Sequence, residues 1–265
     1  MMNSRVISYM VFAFLLVASC KSDQKADSGT DAVAGDEPPK KYKITPFSPS
    51  KTFRDATLTN MTYTNGTFNF DVGGSSYKLG EQTSDAPQKM CANSAKGQHI
   101  HLIVNNQPYV AQYVSNFEHN VPDGEHNILA FLSRSYHESI KTEQAHIAKR
   151  VTVSGGNFTA TSDITEPALF YSRPKGTYVG DDTKKVMLDF YVLNADLDED
   201  YKIKLQVNGE VTLLDEWQPY YIEGLPMGQN SIGLALVYND GSPLPSAQTS
   251  TLQTITLVAD NEPTN

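Results

Sequence analysis

Short runs of alternating apolar and polar residues fill the chain after residue 52. Examples are Ala56–Tyr63, Thr67–Val72 and Val186–Leu193, and turns rich in Gly, Asn, Asp and Pro separate them. Alternation with a period of two predicts β-strands, and no convincing amphipathic helix follows the N-terminal region. The pattern predicts an all-β protein built from sandwiches of the immunoglobulin-like kind.

The same pattern occurs twice along the chain, with an offset of 103 to 104 residues. The matching pairs are HIHLIVNNQ (99–107) with KIKLQVNGE (202–210), VPDGEHNILAFL (121–132) with LPMGQNSIGLAL (225–236), and RVTV (150–153) with TITL (254–257). A duplication of this length predicts two tandem immunoglobulin-like domains, at 52–154 and 167–259. Two such domains in series would make an extended rod.

The N-terminus has the pattern of an export signal. Arg5 is followed by an apolar run from Tyr9 to Val17 and by small residues before Cys20. This run is too short and wrongly flanked for a membrane-spanning helix, so residues 1–19 are predicted to be a signal peptide. Val17-Ala18-Ser19-Cys20 resembles the bacterial lipobox, which implies that Cys20 is acylated, with palmitate among its lipids. A plain secretory cleavage site before a cysteine is the alternative.

Residues 20–51 are predicted to be a lipid-anchored, disordered linker. They are rich in Asp, Gly, Ser, Pro and Lys and poor in periodic apolar residues. Lys21 directly after Cys20 resembles lipoproteins of an outer membrane, and the acidic, Ser-rich segment that follows resembles surface-export signals of Bacteroidota lipoproteins. The resemblance implies an outer-membrane lipoprotein exposed at the cell surface, with the periplasmic face as the alternative.

The charge and the cysteines narrow the classes of partner. The chain has 30 acidic and 21 basic residues, for a formal net charge of −9, and removal of the signal peptide makes the chain one unit more negative. Binding to nucleic acid needs a basic surface, so nucleic acid is not predicted as a partner. If Cys20 carries lipid, Cys91 has no partner in the chain, and the domains must be stable without a disulfide.

His99 and His101 lie two residues apart on one predicted strand. Their counterparts in the second copy are Lys202 and Lys204, which alternate with apolar residues such as Ile203. Both histidines are therefore predicted to face solvent on the outer side of the sheet, where lysines would be tolerated in their place. Side chains two apart point the same way, with Cα atoms about 6.5–7 Å apart, which is close enough to bind one ion.

His137 follows the strand that pairs with the one holding His99 and His101. In the second copy the turn Asn239-Asp240-Gly241 occupies its place. Neighbouring antiparallel strands bring the end of one beside the beginning of the other, which predicts that His137 approaches the two histidines. His126 takes the place of Asn230 at a shared strand start and is predicted to be structural.

These histidines also carry a resemblance to a small family of exported bacterial domains of unknown function. Its members have His-rich segments of the form HHHLLID and GxHxLxLxxxDGxH. The matching residues here are His99, His101, Leu102, Gly124, His126 and His137. The match covers the first copy alone, and Arg134-Ser135-Tyr136 stands where the family has an Asp-Gly turn. The resemblance implies a sandwich fold and a histidine cluster, and it implies no particular reaction.

A long loop leads into the strand of His99. Residues 73–98 are about 17 residues longer than their counterpart in the second copy, and they contain Met90 and Cys91. A thioether, a thiol and the histidines at 99, 101 and 137 would suit copper, or zinc if the thiolate binds. An ordinary long loop beside solvated histidines is the alternative.

Two further segments are candidates for binding. The run from Asp196 to Asp200 offers alternating carboxylates for calcium, but it lacks the Gly and the distal Glu of a calcium loop, which favours a solvated acidic turn. In the segment EWQPYY at 216–221, Tyr221 is matched to Phe117 and is predicted to lie in the core. Tyr220 is left as a candidate contact.

No catalytic motif is present: the sequence has no Gly-x-Ser-x-Gly, no His-Glu-x-x-His and no phosphate loop. The sequence therefore predicts a non-enzymatic binding or accessory subunit of an envelope protein assembly. The alternative is copper or zinc binding by the first domain. An enzyme that uses the metal or Cys91 is the third hypothesis.

Overall fold

Strands make up nearly all of the regular structure in residues 42–245 and 247–260, the part of the chain that the computed structural model describes. The all-β class predicted from the alternation is confirmed. Within these residues the helical structure consists of short 3-10 turns, and none of the helices is long and apolar enough to cross a bilayer. The signal peptide, Cys20 and the linker up to residue 41 lie outside the described residues.

The strands follow one another in two similar series. Those of the first half of the chain are β1 (Lys43–Pro46), β2 (Thr57–Thr64), β3 (Thr67–Gly73), β4 (His99–Val104), β5 (Val110–Gln112), β6 (Asn116–Glu118), β7 (Gly124–Ser133), β8 (His146–Ser154) and β9 (Asn157–Ser162). Those of the second half are β10 (Ala168–Arg173), β11 (Gly176–Val179), β12 (Lys185–Leu193), β13 (Tyr201–Val207), β14 (Glu210–Leu214), β15 (Tyr220–Glu223), β16 (Gly228–Tyr238) and β17 (Ser250–Val258). The 3-10 turns are Ala86–Gln88, Glu143–Ala145, Gly180–Thr183 and Ala247–Thr249.

Apart from β1, which joins the second sandwich, each series builds one β-sandwich. In the first, the sheet β2-β3-β6 faces the sheet β5-β4-β7-β8-β9; in the second, β1-β15-β12-β10 faces β11-β17-β16-β13-β14. Equivalent strands of the two copies occupy equivalent positions, with β4 and β13 each central between a short edge strand and a long strand. Two sheets joined in this order form an immunoglobulin-like sandwich.

The turns and the register repeat as the aligned sequences predict. Leu102 of β4 lies opposite Ala130 of β7, and Leu205 of β13 lies opposite Leu234 of β16. Both sandwiches have a core of alternating inward residues from their two sheets. In the second copy, Lys204 and Gln206 on the other side of β13 are exposed, as the alternation predicts.

The two sandwiches pack against each other through their sheets. Ile103, Leu129 and Phe131 on the outer face of the β4–β7 sheet form a common apolar cluster with Phe170 of β10 and Tyr191 of β12. The structure therefore differs from the predicted rod. The physical reason is that β4 and β7 carry apolar residues on both faces, which is typical of strands that are covered on both sides.

A buried ion pair joins the same two faces. The Asp189 carboxylate on β12 has no exposed surface; it lies 2.5 Å from the Lys141 ammonium and accepts hydrogen bonds from the backbone N–H and the hydroxyl of Ser139. Lys141 and Ser139 belong to the first sandwich. Because this buried carboxylate is paired and hydrogen-bonded, it fixes how the two faces are oriented in addition to the apolar contact.

The segment before the first sandwich is part of the second. β1 pairs antiparallel with β15, with Ile44 opposite Ile222, so that residues 43–46 differ from the predicted disordered linker. Phe47 then packs between Tyr136 and Tyr221, with a ring-centroid distance of 4.4 Å to Tyr221. Along the chain, β1 therefore belongs to the second sandwich, and the segment after it passes the contact between the two sandwiches before the strands of the first sandwich begin.

Candidate metal centre

His99 and His101 lie on the outer face of β4, as the comparison of the two copies predicts. They pair in register with Ser133 and Phe131 of β7. The prediction that they face solvent is wrong, because both have no exposed surface. The second sandwich covers this face of the first sheet, whereas the equivalent face of the second copy, with Lys204, stays open.

His137 lies in the turn after β7, close to the two strand histidines. This turn has the same hydrogen bond as the turn after β16. The backbone N–H of Arg134 donates to the carbonyl of Glu138, and the backbone N–H of Tyr238 donates to the carbonyl of Ser242. His137 corresponds to Gly241, and the two residues have φ angles of +70° and +82°. A left-handed conformation suits glycine and is strained for a side chain such as imidazole. The turn directs the His137 ring back to β4.

The three imidazoles form one compact group. The Nε2 atom of His99 lies 2.8 Å from Nε2 of His101 and 3.0 Å from Nδ1 of His137. One nitrogen of each ring lies within 4.8 Å of the others, and this is the one group of three potential ligands from His, Cys, Asp and Glu in the described residues. A tetrahedral ion with Zn–N bonds of about 2.0–2.1 Å has ligand nitrogens roughly 3.3 Å apart, a value that lies between the two short separations here and the 4.8 Å limit of the group.

Hydrogen bonds at the far sides of two rings orient their ligand nitrogens. The Nδ1 atom of His99 lies 2.8 Å from the Gly97 carbonyl, to which it donates as Nδ1–H. This leaves the lone pair on Nε2. The Nδ1 atom of His101 lies 3.3 Å from the hydroxyl of Ser172 on β10. Such partners fix the tautomer of metal-binding histidines, and Ser172 supplies this contact from the second sandwich.

The surroundings keep all three rings uncharged. Burial lowers the pKa of His99 to about 4. Burial also lowers the pKa values of His101 and His137 well below their usual range. The nearby charges of Arg173 and Lys175 act in the same direction on each ring. At neutral pH the rings are neutral imidazoles, which is the form that binds a metal ion.

Aromatic side chains enclose the group. The Tyr109 ring stacks on His101 at 3.6 Å between centroids, and its hydroxyl lies 3.3 Å from Nδ1 of His137. The Tyr113 ring lies 5.0 Å from that of His99. Burial raises the pKa of Tyr109 to about 12. The sequence signal for Tyr109 was its place just after the strand of the two histidines, but the stacking depends on the covered face.

Two cations from the second sandwich complete the surroundings. The Lys175 ammonium lies 3.8 Å from the centroid of the Tyr109 ring and donates to the Tyr109 carbonyl at 2.5 Å. The Arg173 guanidinium lies 5.7 Å from the same ring and donates to the Tyr178 hydroxyl at 2.8 Å. Nothing in the sequence brings these residues to the histidines, because they come from β10 and the turn after it.

Met90 and Cys91 lie elsewhere. Cys91 is buried in an apolar cluster with Phe47, Tyr136, Met187 and Tyr221, and burial raises the pKa of its thiol to about 12. The Met90 side chain is 68% exposed. The structure brings together the three histidines of the predicted set but not the two sulfur ligands, so zinc binding through a thiolate loses its basis.

The remaining candidates have structural roles. His126 lies 2.8 Å from both the Asn105 side chain and the Pro122 carbonyl. Asn230 makes the equivalent contacts in the second copy, as predicted for a structural residue. Tyr220 belongs to the core of the second sandwich and is 6% exposed. Tyr221 is buried as predicted, at 5% exposed, but it packs in the cluster of Phe47 and Cys91, whereas Tyr220 belongs to the core of the second sandwich.

Comparisons with known proteins add little beyond the architecture. No known family model matches the chain, and no curated protein matches it in sequence. The resemblance to the histidine-rich family therefore stays an expectation.

Several solved structures are distantly similar. The fibronectin(III)-like modules of Clostridium thermocellum CbhA are 15% identical, with 35% of this chain and 99% of that chain covered and a TM-score of 0.28. The two tandem V-type regions of VCBP3, a v-region-containing chitin binding protein, are 9% identical, with 82% and 99% covered and a TM-score of 0.22. A Ca2+-stabilized ice-binding adhesin of an Antarctic bacterium is 11% identical, with 80% and 50% covered and a TM-score of 0.22. Similarities this weak carry no argument about function.

Proposed function

We propose that the protein binds one copper or zinc ion through His99, His101 and His137. The observation that carries the proposal is the convergence of three ligand nitrogens within 4.8 Å in a group that is buried at two of its three rings. Imidazole suits copper and zinc. Three protein nitrogens also leave one position of a four-coordinate ion to a small ligand.

A hydrogen-bonded histidine cluster without a metal explains the geometry less well. His99 donates its one N–H to Gly97, so its Nε2 atom has a single in-plane lone pair. In a cluster without a metal, that lone pair would have to accept N–H donors from His101 and His137 at once, at 2.8 and 3.0 Å. An ion accepts one lone pair from each ring and removes the conflict.

The test is elemental analysis of the purified full-length protein, before and after loading with Cu2+ or Zn2+. His137→Gly removes one ligand and copies Gly241, which has the same backbone conformation, so this variant should fold and lose the metal. His126→Asn copies Asn230 and serves as the matched control, which should bind as the wild type does. If the wild type holds no metal after loading, or if His137→Gly binds it equally well, the proposal fails.

We also propose that the protein is a lipid-anchored, non-enzymatic subunit at the outer membrane, exposed at the cell surface and associated with an envelope protein partner. The lipobox at Cys20 and the linker after it support this. Protease treatment of intact cells should remove the folded part, whereas Cys20→Ser should abolish acylation. Protection of the chain until the membrane is broken would indicate the periplasmic face. Recovery of the protein alone after mild solubilisation would count against a partner.

The surroundings of Cys91 argue against the thiol as a nucleophile. A reactive cysteine needs a thiolate in a polar or positively charged site. Cys91 instead packs with aromatic residues, and burial raises its pKa to about 12. An activity that Cys91→Ser abolishes without loss of stability would contradict this assignment.

A further inference from the structure

The charges around the proposed metal site do not balance those of a divalent ion. The site has three neutral imidazoles as ligands, and the ionised groups that act on all three are Arg173 and Lys175. No carboxylate is among the groups that perturb these rings. A buried divalent cation beside two fixed positive charges is strongly unfavourable unless an anion accompanies it.

Arg173 is unusual among the described residues, because it is a buried guanidinium without a carboxylate partner. It is 7% exposed, and no described Asp or Glu lies within 4.0 Å of it. Its guanidinium donates to the hydroxyl of Tyr178 and lies 5.7 Å from the centroid of the Tyr109 ring, and its Nε–H has no hydrogen-bond partner. A buried, unpaired guanidinium with an unused donor is a group that binds an oxyanion.

Lys175 is the second cation without a carboxylate. Its ammonium donates to the Tyr109 carbonyl, and an ammonium has three N–H donors. Its ammonium lies over the Tyr109 ring at 3.8 Å from the centroid, and the His101 ring stacks on Tyr109 at 3.6 Å, so that the two lie on opposite faces of that ring. Lys175 therefore acts on the histidine group as a charge across the Tyr109 ring.

We infer that the site takes a divalent metal ion together with a small oxyanion, which serves as the fourth metal ligand and pairs with Arg173, while the charge of Lys175 attracts it across the Tyr109 ring. The inference rests on the proposed metal site. The negative charge of the oxyanion offsets part of the charge of the ion and of the two cations, and its several oxygens can reach a metal and a guanidinium at once. The ligand class is a carboxylate or a tetrahedral oxyanion of the phosphate type.

The experiment measures the affinity of the full-length protein for Zn2+ by competition with a chromophoric chelator. Three salts at equal ionic strength are compared: sodium formate, sodium sulfate and sodium tetrafluoroborate, whose anion coordinates weakly. We expect Zn2+ to bind about tenfold or more tightly in formate or sulfate, since outer partners of metal ligands typically change affinity by about 10–100-fold. A gain with formate alone indicates a carboxylate, and a gain with sulfate alone indicates a tetrahedral oxyanion.

Lys175→Met gives effects of opposite sign in the two kinds of salt. In tetrafluoroborate the variant should bind Zn2+ as tightly as the wild type or more tightly, because a repulsive charge is gone. In formate or sulfate it should lose part of the gain, because the charge that attracts the anion is gone. Lys184→Met, at an exposed lysine that pairs with Asp181, is the control and should behave as the wild type.

Several outcomes would overturn the inference and leave the metal site intact. These are equal Zn2+ affinity in all three salts, a full gain in Lys175→Met, and tight binding of Cu+ where Zn2+ binds in no salt. Tyr109→Phe tests whether the phenolate of Tyr109 is the anion. If this variant loses Zn2+ binding in tetrafluoroborate, the compensating negative charge comes from the Tyr109 phenolate and not from an added anion. Absence of any metal binding in every salt would instead overturn the proposed function.

Discussion

Replacement of His101 by lysine distinguishes two interpretations of this residue, a buried metal ligand and a solvated strand residue. The matching residue of the second copy is Lys204, which is exposed, so the sequence alone predicts that His101→Lys is harmless. The structure predicts the opposite. The His101 ring has no exposed surface and lies 3.6 Å from Tyr109, 4.9 Å from Phe131 and 4.7 Å from His99 between centroids.

The magnitude follows from the charge that the lysine brings. An ammonium at position 101 would be buried beside Arg173 and Lys175, and no carboxylate acts on this site. An uncompensated buried charge lowers the free energy of unfolding by about 3–5 kcal/mol. A solvated position would instead change it by about 0.5 kcal/mol or less. The two interpretations differ by several kcal/mol, which is well above the error of an equilibrium measurement.

Urea denaturation without added metal measures this difference. Trp217 is the one tryptophan of the chain; it packs on Tyr191 at the junction, 4.9 Å between centroids, and its fluorescence reports the packing there. Lys204→His is the reciprocal control and should leave stability unchanged. A loss of less than about 1 kcal/mol for His101→Lys would refute the burial of this face, since a buried lone charge costs several times more.

Three further predictions test other parts of the structure. The free energy of unfolding of the metal-free protein should fall by roughly 3 kcal/mol between pH 6.5 and pH 4 from His99 alone. The reason is that the pKa of His99 is about 4 in the folded protein and 6.5 in the unfolded chain, so that the unfolded chain takes up the proton first. The urea midpoint measured as a function of pH tests this. Phe47→Ala should cost about 3–5 kcal/mol by the same urea assay, because Phe47 is buried against Tyr221. Asp189→Ala leaves the Lys141 ammonium without its partner at the junction and should cost about 3–5 kcal/mol; equal stability to the wild type would contradict the interface.

The fold and the histidine group follow from local pattern and register. Alternation predicts the strands, and the repeated segments predict which strands are equivalent. Because β4 and β7 run antiparallel, the end of β7 must lie beside the beginning of β4. This alone brings His137 to His99 and His101, and the distance of 3.0 Å between Nδ1 of His137 and Nε2 of His99 confirms that approach.

The same reasoning did not predict that the histidine group is buried. The lysines of the second copy indicate the face on which His99 and His101 lie, but not whether another domain covers it. The signal was present in HIHLIV, where Ile103 makes the outer face apolar between the histidines and Tyr109. A strand with apolar residues on both faces is covered on both faces, and the second copy has the polar Gln206 where the first has Ile103.

Residues that reach the site from distant parts of the chain could not be predicted from the local sequence pattern. Ser172, Arg173 and Lys175 reach the site because β10 packs across the outer face of the first sandwich. β1 joins β15 although about 175 residues separate them, because the edge of that sheet offers unpaired backbone groups to any extended segment nearby. Composition identified the linker as polar but could not identify the last residues of it as a strand.

The backbone at His137 gives an independent reason to assign the histidine group a function. The second copy has glycine in this turn, which adopts a φ of +82° without strain, and the first copy has histidine at +70°. A residue other than glycine in this conformation costs on the order of 1–3 kcal/mol. His137 is partly exposed, and its ring contacts are with His99, His101 and Tyr109. Its Nδ1 atom lies 3.0 Å from Nε2 of His99, and this approach is what the proposed ligation of an ion shared with His99 and His101 requires.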